Sequence, residues 1–521
     1  MLPSPGLGVA MMSLKNAIYE ESYVNFASRL GPRIFTLKHV WHMLPLLLSL
    51  SKIWGFISIT PHDFWWHIRV GQLILETKQI PRVDLFTFTH RGEPWTYQAW
   101  LMELWLYLIY QLGGAPLIVF VHGIMIASAY VILQMELFRL TRNARVASMV
   151  IVAIAVCSMP NWAIRPQSIS FPLFSLTLLM LLRYQRQKGR SLWWLPLIFL
   201  IWANAHGGFV FGLVLLGCFT VGELWNAYRN ARTLPSWKVI IPILLAVSAI
   251  AINPAGPLGI VRYVLKFVRH PATRSLNLEF TASSLAFAPG ALIIIGIGAL
   301  VVILIYRGYR PNVFESLTLF VFGFLAMWAI RNAPWFGFVA APVTAKALKP
   351  TSPVPHVSKS HYTLNTLILA FLIGVSIISL PWLRALIPIP RRDPSLIAKY
   401  TPLEAAEYVC DRIPANARLF NEISFGSYLI WKCPQIPVFM DTRFELYSME
   451  DWKDYLAISA GRYDWQRLLD KRQVTHLLLS RETQTDLIAA VSESPCWISI
   501  YSDEVSVVFR QVKDCQCSKR S

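Results

Sequence analysis

Charge is scarce in this chain. Of its 521 residues 15% are Asp, Glu, Lys or Arg, and acids are the rarer kind, 29 against 48 Lys and Arg. A soluble domain carries about 25% charged residues, so a chain that is 55% hydrophobic with a mean hydropathy of +0.47 is not an ordinary soluble protein. Nucleotide signatures are missing as well. There is no Gly-x-Gly-x-x-Gly and no Walker A pattern, so neither a dinucleotide fold nor a P-loop is indicated. No internal repeat has a convincing period. The seven cysteines show no metal-ligand spacing: Cys157 and Cys218 fall in apolar runs, and Cys515 and Cys517 stand too close together and too near the end for a standard zinc site. Disulfides among Cys410, Cys433 and Cys496 are left open. Residues 1–39, with Lys15, Glu20, Glu21, Arg29, Arg33 and Lys38, lack the charged, apolar, small-residue order of a cleaved signal, so the first span is expected to stay in the protein.

What the chain has instead is apolar runs. They cover 40–59, 115–138, 146–161, 167–182, 192–205, 208–222, 239–252, 290–306, 313–330, 334–345 and 363–383, at or somewhat below the roughly 17–25 residues that a bilayer core of about 30 Å requires. The expected fold is a polytopic all-α membrane protein of about eleven transmembrane helices, followed by a small C-terminal soluble α/β domain. The net charge of +19 does not point to nucleic acid, because the cations sit in short loops between spans. Arg139, Arg142 and Arg145 share one loop; Arg183, Arg186, Lys188 and Arg190 the next alternate one; then come Arg229, Arg232 and Lys238, Arg307 and Arg310, and Lys346, Lys349 and Lys359. If these loops face the cytoplasm, so does the N-terminal segment 1–39, and the C-terminus lies outside. Trp100–Leu112 must then lie at the interface, since counting it as a span would reverse every basic loop.

That parity puts the unusual residues on the other face: Asp63, Arg165-Pro166-Gln167, Asn204-Ala205-His206-Gly207-Gly208, Asn253-Pro254 and Arg331-Asn332-Ala333-Pro334-Trp335. Polar groups beside helix-breaking Gly and Pro at span ends indicate backbone lining a wet or protein-covered cavity. The densest such stretch is Thr60 to Trp105, within a first extracytoplasmic loop of 61–114. Its Asp63-Phe64-Trp65-Trp66-His67 opening, "IPRVDLFTF" and the "W…WLMELW…LGG" run resemble the first outer loop of GT-C membrane glycosyltransferases, and within these the bacterial relatives of protein mannosyltransferases. The resemblance implies a transmembrane GT-C-like domain over 40–384, a polyprenyl-phosphate-linked sugar as donor, inversion at the sugar carbon, and an Asp in this loop that acts as base or holds a divalent metal. Many of these enzymes carry an acidic pair at that motif, where this chain has Asp63 alone.

Asp63 is accordingly the candidate catalytic residue, because transfer to a hydroxyl needs a carboxylate to take the acceptor proton. Its plainer reading is a helix N-cap. His67 shares a helix face with Asp63 and is a candidate contact to the donor phosphate or a metal. Arg165 can bind phosphate through two parallel hydrogen bonds or snorkel to headgroups. His206 beside two glycines suggests close backbone approach to a ligand, or a tight turn that the imidazole caps. Arg262, Lys266, Arg269, His270 and Arg274 stand against the single acid Glu279, so Arg262 and Lys266 are candidates for donor phosphate or anionic headgroups. Arg331 is a candidate cavity residue. Asp84 and Glu103 are secondary acids, the first read as turn chemistry, the second as an unpaired carboxylate costly at bilayer depth.

Beyond a linker at 385–397, residues 398–521 read as an extracytoplasmic α/β unit: helices at Leu403–Arg412 and Thr485–Val491, strands at Arg418–Asn421, Val438–Asp441 and His476–Ser480, and a hairpin from Trp497–Tyr501 and Val505–Arg510. Asp441-Thr442-Arg443, with Glu445 and Tyr447, stands just beyond a strand, a favoured place for binding in α/β layers, and the Asp441 and Arg443 pair is read rather as structural. The function expected is transfer of a sugar from a polyprenyl-phosphate donor to an extracytoplasmic glycan, lipid or protein acceptor, in the inner or plasma membrane. The rivals are a lipid-linked-sugar flippase, which would need ionisable groups in mid-span, and a non-catalytic assembly subunit.

Overall fold

The computed structural model describes residues 35–231, 236–350, 362–389 and 393–512. Residues 1–34, Arg232, Lys359, Pro390 to Arg392 of the linker, and the Cys515 and Cys517 pair lie outside these. Each of the eleven apolar runs coincides with a helix: Leu37–Phe56, the second part of Trp100–Thr141, Ala144–Ser158, Ser170–Gln187, Leu195–Ala205, Phe209–Ala231, Trp237–Ala249, Ala288–Tyr306, Val313–Trp328, Ala333–Ala347 and Tyr362–Ile378. Among the described residues four helices are long and apolar enough to cross a membrane, Trp100–Thr141, Ala144–Asn161, Phe209–Asn230 and Ala288–Tyr306. The chain is a membrane protein.

Trp100–Thr141 is interrupted. Gly113 (φ −160°, ψ 19°) and Gly114 (φ 58°, ψ −154°) leave helical geometry, and only glycine takes the second conformation cheaply. Trp100–Leu112 is thus a separate helical arm. Against it packs the helix Phe64–Thr77, whose Gly71 lies so close that a Cβ would overlap the Glu103 carbonyl. This close approach seats His67 on Glu103, Nδ1 to Oε1 at 2.8 Å.

The two sets of helix ends are built differently. At one end Arg186 and Arg139 meet the buried Glu136, Lys188 meets Glu223, and Lys346 meets Glu315 at 2.6 Å. At the other end are the turns Met159–Asn161, Pro166–Ile169, 206–208, 250–254 and Ile330–Asn332. Asn253 Nδ2 donates to the Ala203 carbonyl at 3.0 Å and Gln98 Nε2 to the same oxygen at 2.6 Å, tying the outer loop to two of these turns.

The C-terminal unit has a four-stranded sheet in the order β1-β2-β4-β3, with β1 Leu419–Asn421, β2 His476–Ser480, β3 Trp497–Ser502 and β4 Ser506–Gln511. β1 runs parallel to β2, and β4 antiparallel to both β2 and β3. Every β2 residue is buried, as an apolar strand covered on both faces should be. Val438, expected in a strand, makes only single bridges, to Leu419 and to Thr87 of the outer loop. Those bridges, with Thr89 Oγ1 donating to the Phe439 carbonyl at 2.8 Å and Ile59 pairing with Ile397, dock the unit onto the membrane part. Cys410 and Cys433 form a disulfide.

Candidate active site

Between the outer loop, the span-end turns and the C-terminal unit lies a cavity of about 380 Å³. Asp63, His67, Glu103, Arg165, His206 and Arg331 all line it. Asp63 precedes the helix Phe64–Thr77, but its own backbone is already helical (φ −52°, ψ −34°) and its side chain makes no cap; capping needs an extended residue. The carboxylate is free to face elsewhere. Oδ1 accepts from the Thr442 hydroxyl at 2.5 Å, and Oδ2 lies 3.6 Å from Arg165 Nη1. Thr442 Oγ1 is also 3.0 Å from Ser427 Oγ. Its one proton goes to Asp63, so Ser427 is the donor.

Arg165 stands extended (φ −167°, ψ 169°) before Pro166, the conformation that a following proline imposes. It pairs with Glu279 as well as Asp63, and Glu279 Oε2 lies 3.8 Å from Arg331 Nη1. Burial pushes the Glu279 carboxyl up, but Arg165 and then Arg331 outweigh it and hold it below the usual range. Arg331 also covers the Phe280 ring at 4.5 Å and approaches Gln167 Oε1 at 3.5 Å. Two acids and two arginines therefore alternate along the cavity wall.

His206 is held neutral, its pKa lowered to about 3 by burial and then by Arg331 and Arg165. Its Nδ1 lies 2.9 Å from the Gly208 N–H and 2.9 Å from Ser170 Oγ. An Nδ1 that accepts from the backbone leaves the proton on Nε2, so this imidazole is a fixed hydrogen-bond donor. The close approach expected of the glycines is to protein: a Cβ on Gly208 would overlap Ser170 and meet His206. Burial likewise keeps His67 neutral, helped by His206 and Arg165. It bonds Glu103, so Glu103 is not the unpaired acid the sequence suggested.

Arg262 and Lys266 are not brought into the cavity. Both are exposed on the helix Gly256–Arg269, whose opposite side supplies Tyr263, Val264 and Phe267 to the lining; Lys266 reaches the rim, 5.8 Å from the Trp95 ring. Asp84 is outside too. It keeps the turn chemistry expected of it, accepting from Thr87 N at 3.0 Å and Oγ1 at 2.7 Å, and in addition meets Arg443 at 2.6 Å. Glu279, Thr442 and Glu445 also line the cavity, none of them among the candidate site residues named from the sequence. Glu279 had a signal, being the only acid among five basic residues of its loop. Glu445 is buried, and its carboxyl is pushed up to about 7, first by burial and also by Asp63.

Among the described residues no group of three or more His, Cys, Asp or Glu side chains could hold a metal ion. The donor set agrees: Arg165 stands against both Asp63 and Glu279, where a divalent cation would have to bind, so these residues do not fit one.

The helical membrane part and the docked α/β unit are similar in fold to two solved membrane enzymes. No family model and no curated protein matches the sequence. Among solved structures, the oligosaccharyltransferase of Archaeoglobus fulgidus tethered with an acceptor peptide aligns with 91% of this chain and 74% of its own at 12% identity, TM-score 0.50. Arabinofuranosyltransferase AftD from Mycobacteria aligns with 91% of this chain at 13% identity, TM-score 0.54, and this chain spans 40% of AftD. ArnT from Cupriavidus metallidurans bound to undecaprenyl phosphate gives 14% identity over 92% of this chain and 98% of its own, at a looser TM-score of 0.46.

Proposed function

We propose that this protein is a membrane glycosyltransferase that moves a sugar from a polyprenyl-phosphate donor to an extracytoplasmic acceptor hydroxyl, with inversion. The observation that carries the reading is Asp63, released from capping and held at the cavity wall by Thr442 and Arg165. In the reaction Asp63 takes the proton of the acceptor hydroxyl, and that oxygen bonds to the sugar C1 from the face opposite the phosphate. The C1–O bond to phosphate breaks, and its electron pair leaves with polyprenyl phosphate. Arg165, Arg331 and the His206 Nε2–H meet the growing phosphate charge, the use for which guanidinium forks suit best. Arg262 serves lipid headgroups, and Lys266 stands at the cavity entrance. The fold shared with an oligosaccharyltransferase and an arabinofuranosyltransferase supports the class.

Eleven crossings put the basic helix ends in the cytoplasm and the cavity outside. The Cys410–Cys433 disulfide supports that side for the C-terminal unit, since such bonds persist in oxidising compartments. The test is turnover in nanodiscs across a panel of polyprenyl-phosphate sugars, wild type beside Asp63→Asn. Turnover in the wild type and none in the variant is the expected result. Equal turnover in both removes Asp63 from the chemistry, and silence from both favours a flippase or an assembly subunit.

A further inference from the structure

The cavity has a second end that the charge network does not use. There, Trp66, Trp95, Gln98, Glu103 and Arg443 are each at least nine-tenths buried and line the cavity. Each also keeps one polar atom without a hydrogen-bond partner among the described residues: Nε1 of both tryptophans and Nη1 of Arg443 as donors, Oε1 of Gln98 as an acceptor, and Oε2 of Glu103, whose carboxyl burial pushes up towards the protonated form, as either. Buried polar atoms are nearly always satisfied, and each exception needs a reason. Four of them lie together, and Gln98 Oε1 stands on the Gly207 side of the same cavity, 3.7 Å from where a Cβ on Gly207 would be. The Arg443 guanidinium lies 5.8 Å from the Trp66 ring and 5.4 Å from that of Trp95. His67, bonded to Glu103, packs on Trp66 with ring centroids 3.5 Å apart.

The mixture of atoms selects the ligand. A phosphate would leave Gln98 Oε1 unmatched, because it only accepts. An ammonium would leave the indole and guanidinium N–H groups unmatched, because it only donates. A hydroxyl does both, and flat aromatic walls suit the C–H faces of a ring. Thr442 and Arg443 are neighbours in the chain, so Asp63, held by Thr442, stands at the seam between this end and the arginine end. We propose that the tryptophan end is a subsite for an uncharged, polyhydroxylated sugar ring, seated so that its reacting carbon or hydroxyl falls beside Asp63. This rests on the glycosyl-transfer reading and goes further by assigning the ring a place and a chemistry.

The test measures affinity in nanodiscs for bare polyprenyl phosphate and for polyprenyl-phosphate mannose, glucose and arabinose, in wild type, Trp95→Phe and Gln98→Leu. Methyl glycosides of the same sugars, added to the bare-lipid complex, form a second arm. If the ring is the donor's, the wild type holds at least one sugar-bearing lipid roughly tenfold tighter than the bare lipid, as two lost hydrogen bonds would imply. Trp95→Phe and Gln98→Leu then bring that ratio towards one while bare-lipid affinity, which also reports folding, stays put. If the ring is the acceptor's, the lipids are held alike, and methyl-glycoside binding is what the variants lose. Discrimination or glycoside binding that survives in both variants overturns the subsite alone. A wild type that binds no lipid at all overturns the glycosyl-transfer reading, and the subsite with it.

Discussion

Two arginine-centred ion networks lie at one junction of this molecule, and they are built to opposite standards. In one, Arg443 meets Asp84 and Asp441 at 2.6 Å each, with a further bond from Nε to Asp441 at 2.8 Å, and all three side chains are fully buried. In the other, Arg165, Glu279, Arg331 and Asp63 are 16–31% exposed, and two of their three contacts are as long as 3.6 and 3.8 Å. Charges withdrawn wholly from water must be tightly paired or the desolvation cost is not offset. Charges left partly wet and loosely paired keep capacity for something else. The first network latches the outer loop to the C-terminal unit; the second is the one we propose meets the donor phosphate.

Replacing each arginine breaks the comparison most sharply. Arg443→Leu strands Asp84 and Asp441, and removing one partner of a buried pair costs about 3–5 kcal/mol. Thermal unfolding in detergent and limited proteolysis should show a large loss of stability and a released C-terminal unit. Arg165→Leu should leave unfolding nearly unchanged and abolish donor binding. Equal destabilisation by the two would mean that both networks are structural. Within the loose network, Asp63→Asn should lower turnover by about 10²–10⁴-fold, the usual worth of a general base, with the melting temperature unmoved. Glu279→Gln removes the acid between the two arginines. A roughly tenfold fall in turnover is expected, of the size of one charge-assisted hydrogen bond; no change would make Glu279 a bystander.

How much of this the sequence disclosed follows the same divide. Apolar runs and basic loops are set by the bilayer, a solvent whose demands are written locally, so the runs coincide with helices. Asp63, Arg165, His206 and Arg331 stood out because polar residues beside Gly and Pro at span ends are unusual one at a time. Their partners did not. Glu279 and Thr442 lie 114 and 379 residues from the side chains they meet, and no local pattern announces contacts of that range. Asp84 and Glu103 were weighed as acids, but their worth depends on Arg443 and His67, which only the packing supplies. In the C-terminal unit four strands and two helices were legible, while Val438–Asp441 was read as a strand and Val438 makes only single bridges. The helices Ile423–Lys432, Met449–Ser459 and Trp465–Lys471 were not legible.

Glu445 tests the junction by pH. Its carboxyl titrates near 7 in the folded protein and near 4.3 in an unfolded chain. Between those values the folded state binds more protons than the unfolded one, so stability falls as pH rises. Glu445→Gln should therefore stabilise the protein at pH 8, by on the order of 3–4 kcal/mol read from thermal unfolding, and leave it unchanged at pH 4. A benefit equal at both pH values would mean that the substitution acts through packing and not through charge.

The smallest effect expected is at Thr442, the hydroxyl through which the rigid unit touches the loose network. Thr442→Val keeps the shape of the side chain but removes the donor to Asp63 and the acceptor of the buried Ser427 hydroxyl. If the contact aims the base, turnover should fall several-fold, about the worth of one hydrogen bond, with KM for donor unmoved. Thr442→Ser should restore it, because serine carries the same hydroxyl. A fall in Val that Ser does not repair would assign Thr442 to packing and leave Arg165 alone to place Asp63. The two networks would then meet in space without working together.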